Sequence, residues 1–378
     1  MRILLITTGL LTGGAERQVV DLATAWHAAG HAVHIICLTG TASQFPIPDG
    51  VDVTFLGLRK APLPLLRALR AARAVVRQWR PDVLHSHMFH ANLFARLLRL
   101  TSPGASTVPL FCTAHSTHEG GWLRMMAYRL TDPACTLTTH VSAEGRTAMI
   151  KADAAPAERV VVIPNGIDTT RFAPDPASRA RLRAALGIPD TTRVLLHVGR
   201  LVPEKAQHTL LEAFAQVHTA PSSAHTATHL LIAGDGPLRA ALAQQIANAG
   251  LDSAVTLLGN RDDIPALMQA ADLFVLSSRV EGMPLAVAEA LASELPVVAT
   301  DVSGIRMLVR DTARIVPPGN ADALAAALRA ALDAPRSPEA RAAIVDTFGI
   351  TAIAASWLTL YEQCGAYDAE QHDACNGG

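Results

Sequence analysis

The chain has 378 residues, of which 50% are hydrophobic, 17% charged and 4% aromatic. That length suits two domains, and that composition excludes a disordered or collagen-like chain. The net charge of −1 hides an asymmetry: residues 1–168 carry 16 Lys+Arg against 11 Asp+Glu, and residues 169–378 carry 16 against 22. The basic first half is therefore the one expected to meet an anionic surface.

The N-terminus, Met1-Arg2-Ile3-Leu4-Leu5-Ile6, superficially resembles a signal peptide. The apolar run stops at Thr7-Thr8-Gly9, and Glu16 and Arg17 follow where a cleavage region should be small and neutral. It reads as a first buried strand. Further strands are expected at 31–38, 51–56, 82–86, 108–113, 137–141 and 160–163. After a turn cluster at Pro164-Asn165-Gly166-Ile167-Asp168, they continue at 193–198, 229–233, 255–258, 273–276, 296–300 and 314–316. Most are continuously apolar, as strands buried on both faces are. Ala/Leu/Arg-rich helical stretches separate them, which predicts parallel sheets with helices on both sides. One sheet of thirteen strands is too wide, so two doubly wound sheets are expected. Residues 219–228 read as a polar surface excursion. The last helical periodicity spans 350–363, and a frayed tail follows.

Five cysteines (Cys37, Cys112, Cys135, Cys364, Cys375) are an odd number with no C-x-x-C pair. They point to a reducing cytosol rather than to disulfides or zinc. No run of 18 apolar residues predicts a spanning helix.

Ligands of doubly wound folds bind at the carboxyl ends of strands, so the loops after strands carry the candidates. The loop containing Gly13 and Gly14 lets backbone amides approach an anion, and a tight structural turn fits it equally well. It matches neither G-x-G-x-x-G nor the phosphate loop G-x-x-x-x-G-K-S/T. Tyr128, Tyr361 and Tyr367 lack the Lys four residues on that a short-chain dehydrogenase needs. The segment His197-Val198-Gly199-Arg200-Leu201-Val202-Pro203-Glu204-Lys205 sets two cations five residues apart. Lys205 is one of only three lysines against 29 arginines. Such a pair would stabilise a diphosphate leaving group; a solvated surface pair is the plainer alternative.

Glu281-Gly282-Met283-Pro284-Leu285 follows another apolar strand, with Pro284 at the expected first helical position. Free amides there would attract an anion. Glu289 lies about 80° further round that helix, and both carboxylates suit a polyol. Gly234-Asp235-Gly236-Pro237 reads as a structural turn. His85, His87 and His90 cluster at one strand end, and His115 and His118 at another. No set completes a metal site, so no metal is expected. His115 is open to a hydrogen-bonding or base role. Residues 59–80 hold seven basic residues and no acid. Arg67, Arg70, Arg73, Arg77 and Arg80 recur on one helix face, which either covers the core as an ordinary solvated face or lies on an anionic membrane. Nucleic acid is not expected as a partner, since aromatics are sparse and no binding module appears.

On these residues the chain resembles the retaining glycosyltransferases of family four, which have the two-domain GT-B fold. The resemblance covers about residues 1–363. It rests on Gly13-Gly14-Ala15-Glu16, Ile163-Pro164-Asn165-Gly166-Ile167-Asp168, Gly199-Arg200-Leu201 with Glu204-Lys205, Gly234-Asp235-Gly236-Pro237, and the E-x7-E pair Glu281 and Glu289. No Asp-x-Asp occurs, which argues against the metal-dependent GT-A alternative.

The resemblance implies two Rossmann-like domains facing a cleft: an acceptor-binding domain at 1–168 and a nucleotide-sugar-binding domain at 169–349. A helix at 350–366 would cross back to the first, with a disordered tail at 367–378. It also implies that Arg200 and Lys205 hold and neutralise the donor diphosphate, that Glu281 contacts the donor sugar, and that Glu289 binds the ribose. Gly199, Gly282, Met283, Pro284 and Leu285 would line the donor site. Gly13 and Gly14 would approach its phosphates, and His115 would bond the sugar near the anomeric carbon.

Two positions depart from the family pattern: Ser303 and Met307 stand where glycine and glutamate are usual, which puts donor-sugar contacts there in doubt. The expected activity is retaining transfer of a hexose or N-acetylhexosamine, from a nucleotide sugar such as a UDP-sugar, to a polysaccharide or lipid-linked oligosaccharide. No metal cofactor is required, and the location is the cytoplasmic face of the membrane. A UDP-N-acetylglucosamine 2-epimerase-like reaction and a non-catalytic binding subunit are the alternatives.

Overall fold

The computed structural model describes residues 1–11, 13–59, 61–116, 120–219 and 227–376, with backbone alone for 366–376. The chain divides into two compact units, 1–166 with 350–378, and 167–349.

Unit 1 contains β1 (Arg2–Thr7), α1 (Gly14–Ala28), β2 (Ala32–Cys37), β3 (Asp52–Phe55), α2 (Pro62–Trp79), β4 (Val83–His87), α3 (Phe89–Thr101), α4 (Pro103–Ser106), β5 (Leu110–Ala114), α5 (Trp122–Thr131), β6 (Leu137–His140), α6 (Ala143–Lys151) and β7 (Val160–Val162). Its seven strands run in the order β3-β2-β1-β4-β5-β6-β7, all parallel. Alternate side chains along each strand feed two cores. Ile3, Leu5, Ile35 and Phe111 pack with Trp26 of α1 on one face. Leu4, Ile6, Leu84 and Cys112 pack beneath α2 and α3 on the other.

Unit 2 contains α7 (Pro176–Ala185), β8 (Thr192–Val198), α8 (Gln207–His218), β9 (Ala227–Ala233), α9 (Arg239–Asn248), β10 (Val255–Gly259), α10 (Ile264–Ala270), β11 (Leu273–Leu276), α11 (Leu285–Ala292), β12 (Val297–Thr300), α12 (Ile305–Leu308), β13 (Ile315–Val316), α13 (Ala321–Ala331) and α14 (Pro338–Phe348). Its parallel strands run β10-β9-β8-β11-β12-β13. The preference for arginine has a structural use here. Planar guanidinium forks of Arg179 and Arg336 collect the carbonyls that end α10, at Gln269 and Ala271 among others.

The last helix, α15 (Ile350–Asn376), returns to unit 1. Its Ile353, Ala354, Trp357 and Tyr361 sit in the Trp26 core. Trp26 Nε1 donates to the Ala354 carbonyl at 3.0 Å, and Tyr361 Oη lies 2.6 Å from His85 Nδ1. The frayed tail expected from residue 367 is replaced by helix through Asn376. Ala369, Glu370, Gln371 and Ala374 are good helix formers in that stretch, and no proline interrupts it. Of the expected surface excursion at 219–228, residues 220–226 lie outside the described residues.

Candidate active site

In a doubly wound sheet the binding crevice opens where the strand order reverses. In unit 2 that point lies between β8 and β11, adjacent strands whose connections leave in opposite directions. The two loops leaving them carry the sequence candidates. The β8 loop holds Gly199, exposed Arg200 and half-buried Lys205, the last on a 3-10 turn Pro203–Lys205. The β11 loop holds Ser277, Ser278, Glu281 and Gly282.

Side chains stitch the two loops together. Lys205 Nζ meets Glu281 Oε1 at 2.6 Å, and Ser278 Oγ donates to the same oxygen at 2.6 Å. Ser277 Oγ donates to the Lys205 carbonyl at 2.8 Å, and Arg279 N to the Glu204 carbonyl at 2.7 Å. The lysine five residues after Arg200 thus meets the first glutamate of E-x7-E directly. Glu289 lies in the second turn of α11, half-buried. Pro284 caps that helix instead of starting it: the first helical residue is Leu285. Met283 is buried beside it.

Three groups named in the sequence take on a supporting role here that sequence reasoning did not give them. His197, fully buried on β8, bonds the Val275 carbonyl through Nδ1 at 3.0 Å. A carbonyl only accepts, so Nδ1 carries the proton and Nε2 accepts from Gln207 Nε2 at 3.2 Å. Gln207 Nε2 also donates to the Arg200 carbonyl at 2.8 Å, tying the cation loop to the sheet. Burial pushes the His197 imidazole down to about 4, with the Lys205 charge adding to it against the hydrogen bond to Val275.

The second support is the Gly234–Pro237 turn. Leu201 N donates to the Asp235 carbonyl at 3.0 Å and Leu238 N to the Leu201 carbonyl at 3.1 Å. A Cβ on Gly234, whose φ is +133°, would stand 2.0 Å from the Gly199 carbonyl oxygen, and one on Gly236 2.5 Å from that of Leu201. These glycines let the turn press on the Arg200 loop, a tertiary reason for a motif that reads locally as a plain turn.

The third is Ser303, whose Oγ donates to the Gly282 carbonyl at 3.1 Å. The departure from family pattern at this position thus fastens the β12–α12 loop to the glycine of Glu281-Gly282-Met283. Met307 lies half-buried in α12.

In unit 1 the order reverses between β1 and β4. Gly13 is the extended N-cap of α1 and Gly14 its first residue. A Cβ on Gly13 would fall 2.3 Å from Glu16 Oε2, so the Glu16 carboxylate folds over this helix start. Thr12 and His118 lie outside the described residues. His115 follows β5 at the same sheet edge, and its Nε2 lies 3.0 Å from His87 Nδ1. Burial and then the neighbouring His140 push His115 down to about 3. Burial and the charges of His85 and His115 hold His87 well below the usual imidazole range. The two rings therefore meet as neutral donor and acceptor. His90 is exposed on α3, apart from this pair. On α2, Arg67, Arg70 and Arg77 are exposed, Arg73 is half-buried, and Arg80 is the exposed left-handed C-cap.

Two family profiles match in tandem: Glycosyltransferase Family 4 over residues 12–171 and Glycosyl transferases group 1 over residues 178–346. The D-inositol 3-phosphate glycosyltransferase of Kineococcus radiotolerans is 30% identical over 93% of this chain and 90% of its own length. An Escherichia coli enzyme, UDP-Gal:alpha-D-GlcNAc-diphosphoundecaprenol alpha-1,3-galactosyltransferase, is 27% identical over 74% of each chain. Among solved structures, Anabaena HepE in complex with UDP and glucose superposes with a TM-score of 0.81 at 24% identity, covering 96% of this chain and 100% of that one. Sucrose-phosphate synthase from Thermosynechococcus elongatus reaches 0.82 at 22% identity, covering 97% and 99%. The chain belongs to the group 1, family 4 glycosyltransferases, with the α/β GT-B fold of two Rossmann-like sheets. It is an enzyme of glycosyl transfer.

Proposed function

We propose that the protein transfers a hexose or N-acetylhexosamine from a UDP-sugar to a polysaccharide or lipid-linked oligosaccharide, with retention at the anomeric carbon. The observation that carries the donor reading is the Lys205–Glu281 pair at 2.6 Å beside Arg200, at the reversal point of unit 2. A donor diphosphate supplies the charge Lys205 otherwise takes from Glu281. Lys205 and Arg200 neutralise the departing nucleotide diphosphate, and the released Glu281 accepts from sugar hydroxyls. Glu289 binds ribose hydroxyls, and the backbone of Gly199 and of residues 282–285 lines the donor. The reading needs no metal, because the two cations provide the positive charge. In this reading the helix-start amides at Gly13 and Gly14 would take an anion, and neutral His115, its proton position set by His87, would hydrogen-bond a sugar hydroxyl.

The relatives support the substrate class: a UDP-galactose donor and a diphosphoundecaprenol acceptor in the Escherichia coli enzyme, UDP and glucose bound to HepE. Lipid-linked acceptors place the reaction at the cytoplasmic membrane face, where the arginine face of α2 meets anionic headgroups. The test is sugar transfer from labelled UDP-hexoses and UDP-N-acetylhexosamines to lipid-linked acceptors, for wild type and Lys205→Ala. Acceptor-dependent transfer that Lys205→Ala lowers by at least a hundredfold supports the reading. Turnover of donor to an isomeric nucleotide sugar without acceptor would point instead to an epimerase.

A further inference from the structure

An ordinary surface helix buries one apolar stripe and presents polar residues to water. α5 does not. Tyr128 is buried on its inner side, yet Trp122, Leu123, Met126 and Leu130 stand 71, 66, 41 and 74% exposed. At 100° per residue these four lie within one quarter to one third of the helix circumference, opposite Tyr128. The feature extends beyond one helix. Among the described residues, every large hydrophobic side chain left exposed, apart from Leu11, lies on α2, α3 or α5. Leu63 and Leu66 stand out from α2 and Leu100 from α3. These helices cover the same side of the first sheet. α2 and α3 pack on Leu4, Leu84 and Cys112, and α5 sets Tyr128 against Ala114, one strand position pair further along β5.

The charge of these helices is one-sided. α2, α3 and α5 carry eight arginines and no aspartate or glutamate. Arg96 is buried; Arg129 pairs with Asp153 at the end of α6. An occupant of this surface must cover apolar side chains and supply negative charge. A second copy of the same face brings only more arginine. An anionic lipid bilayer meets both demands: acyl chains take the indole and leucines, and headgroups take the guanidinium ends.

We propose that α5 inserts its Trp122–Leu130 face into the headgroup boundary of an anionic membrane, with the α2 arginines lying on the headgroups. The proposal adds an apolar, penetrating element to the α2 contact proposed above and does not depend on the donor site. Electrostatic contact through α2 alone is screened by salt, whereas apolar insertion persists.

Trp122 is its own reporter. Trp26 and Trp357 are buried and Trp79 is half-buried, so Trp122 is the tryptophan free to change environment. The full chain is mixed with vesicles of phosphatidylglycerol and phosphatidylcholine, and with phosphatidylcholine alone. Binding to the anionic vesicles should blue-shift the emission and allow quenching by lipids brominated near the headgroup. Trp122→Phe should remove the spectral change and still sediment with vesicles. Leu123→Ser with Met126→Ser and Leu130→Ser should weaken vesicle binding at least tenfold and leave the remainder salt-labile. Arg70→Glu with Arg77→Glu should weaken binding chiefly at low salt. All these positions are exposed, so an unchanged melting temperature checks the fold. Sedimentation with vesicles while Trp122 emission stays that of a water-exposed indole would overturn the insertion and leave α2 as the contact. So would equal binding to neutral vesicles, absence of binding, or a Trp122 shift on self-association without lipid.

Discussion

Replacing Gly236 with alanine tests whether the Gly234–Pro237 turn holds the cation loop in place. Gly236 does not have a positive φ, so alanine is free to adopt its backbone conformation. The conflict is purely one of space. The new methyl would lie 2.5 Å from the Leu201 carbonyl oxygen and 2.9 Å from its carbon and nitrogen. Leu201 cannot yield locally: its side chain is fully buried, and its N–H and carbonyl are bonded to Asp235 and Leu238. The loop must therefore shift by several tenths of an ångström, and Arg200, the preceding residue, shifts with it. Overpacking of this kind costs about 1–3 kcal/mol, or roughly 2–12 °C in the melting temperature of a unit this size. Misplacing a charged donor-site group by about 1 Å costs on the order of a hundredfold in turnover.

Gly250→Ala is the control. Its φ of +66° imposes backbone strain, but a Cβ there meets nothing within 4 Å, and it follows α9, remote in sequence from either site loop. That strain costs about 1–2 kcal/mol. Calorimetry with UDP and thermal denaturation separate the two variants. Both should melt earlier, and Gly236→Ala alone should lose UDP affinity, by tenfold or more. A Gly236→Ala protein that melts early yet binds UDP like wild type would refute the buttress.

Removing Glu281 by Glu281→Gln should reduce turnover by about 10²–10³, the usual range for one lost transition-state contact, read as kcat at saturating donor. Trp357→Ala should cost unit 1 about 3–5 kcal/mol, because the indole fills the Trp26 core; denaturant unfolding followed by near-UV dichroism measures it. Unit 2 should weaken in acid through His197. Between pH 6.5 and about 4 the unfolded chain binds a proton that the folded imidazole refuses, so stability falls as pH falls. At ~1.4 kcal/mol per pH unit this amounts to about 3 kcal/mol. Chemical denaturation across that range, compared with His197→Gln, should show the shallower slope in the variant. Equal slopes would place the titration elsewhere.

The strand sequence was legible because most strands are continuous apolar runs bounded by turn residues, and all thirteen appear within a few residues of expectation. The site loops were legible because cations and carboxylates followed such runs. Sequence did not show the contacts that hold the loops. His197 reads as one apolar-flanked histidine among fifteen, and only the β8–β11 pairing brings it to the Val275 carbonyl. Gly236 reads as a turn residue, and its constraint comes from Leu201, 35 positions away in the chain. The helix beyond residue 366 was missed because polar residues without an apolar period look alike in a helix and in a tail. The apolar outer face of α5 was also missed. Trp122, Leu123, Met126 and Leu130 have the spacing of a buried stripe, and only the fold shows that Tyr128 already fills the inner side.

The central claim is that Arg200, Lys205, Glu281 and Glu289 form a donor site. Its most direct test is a thermal-shift panel of UDP-, GDP-, ADP- and dTDP-sugars without added metal, on wild type and on Lys205→Ala with Glu289→Ala. A stabilising shift for the UDP-sugars that vanishes in the double variant is the predicted result. A shift of equal size in wild type and double variant would contradict the claim and place nucleotide binding elsewhere on the chain.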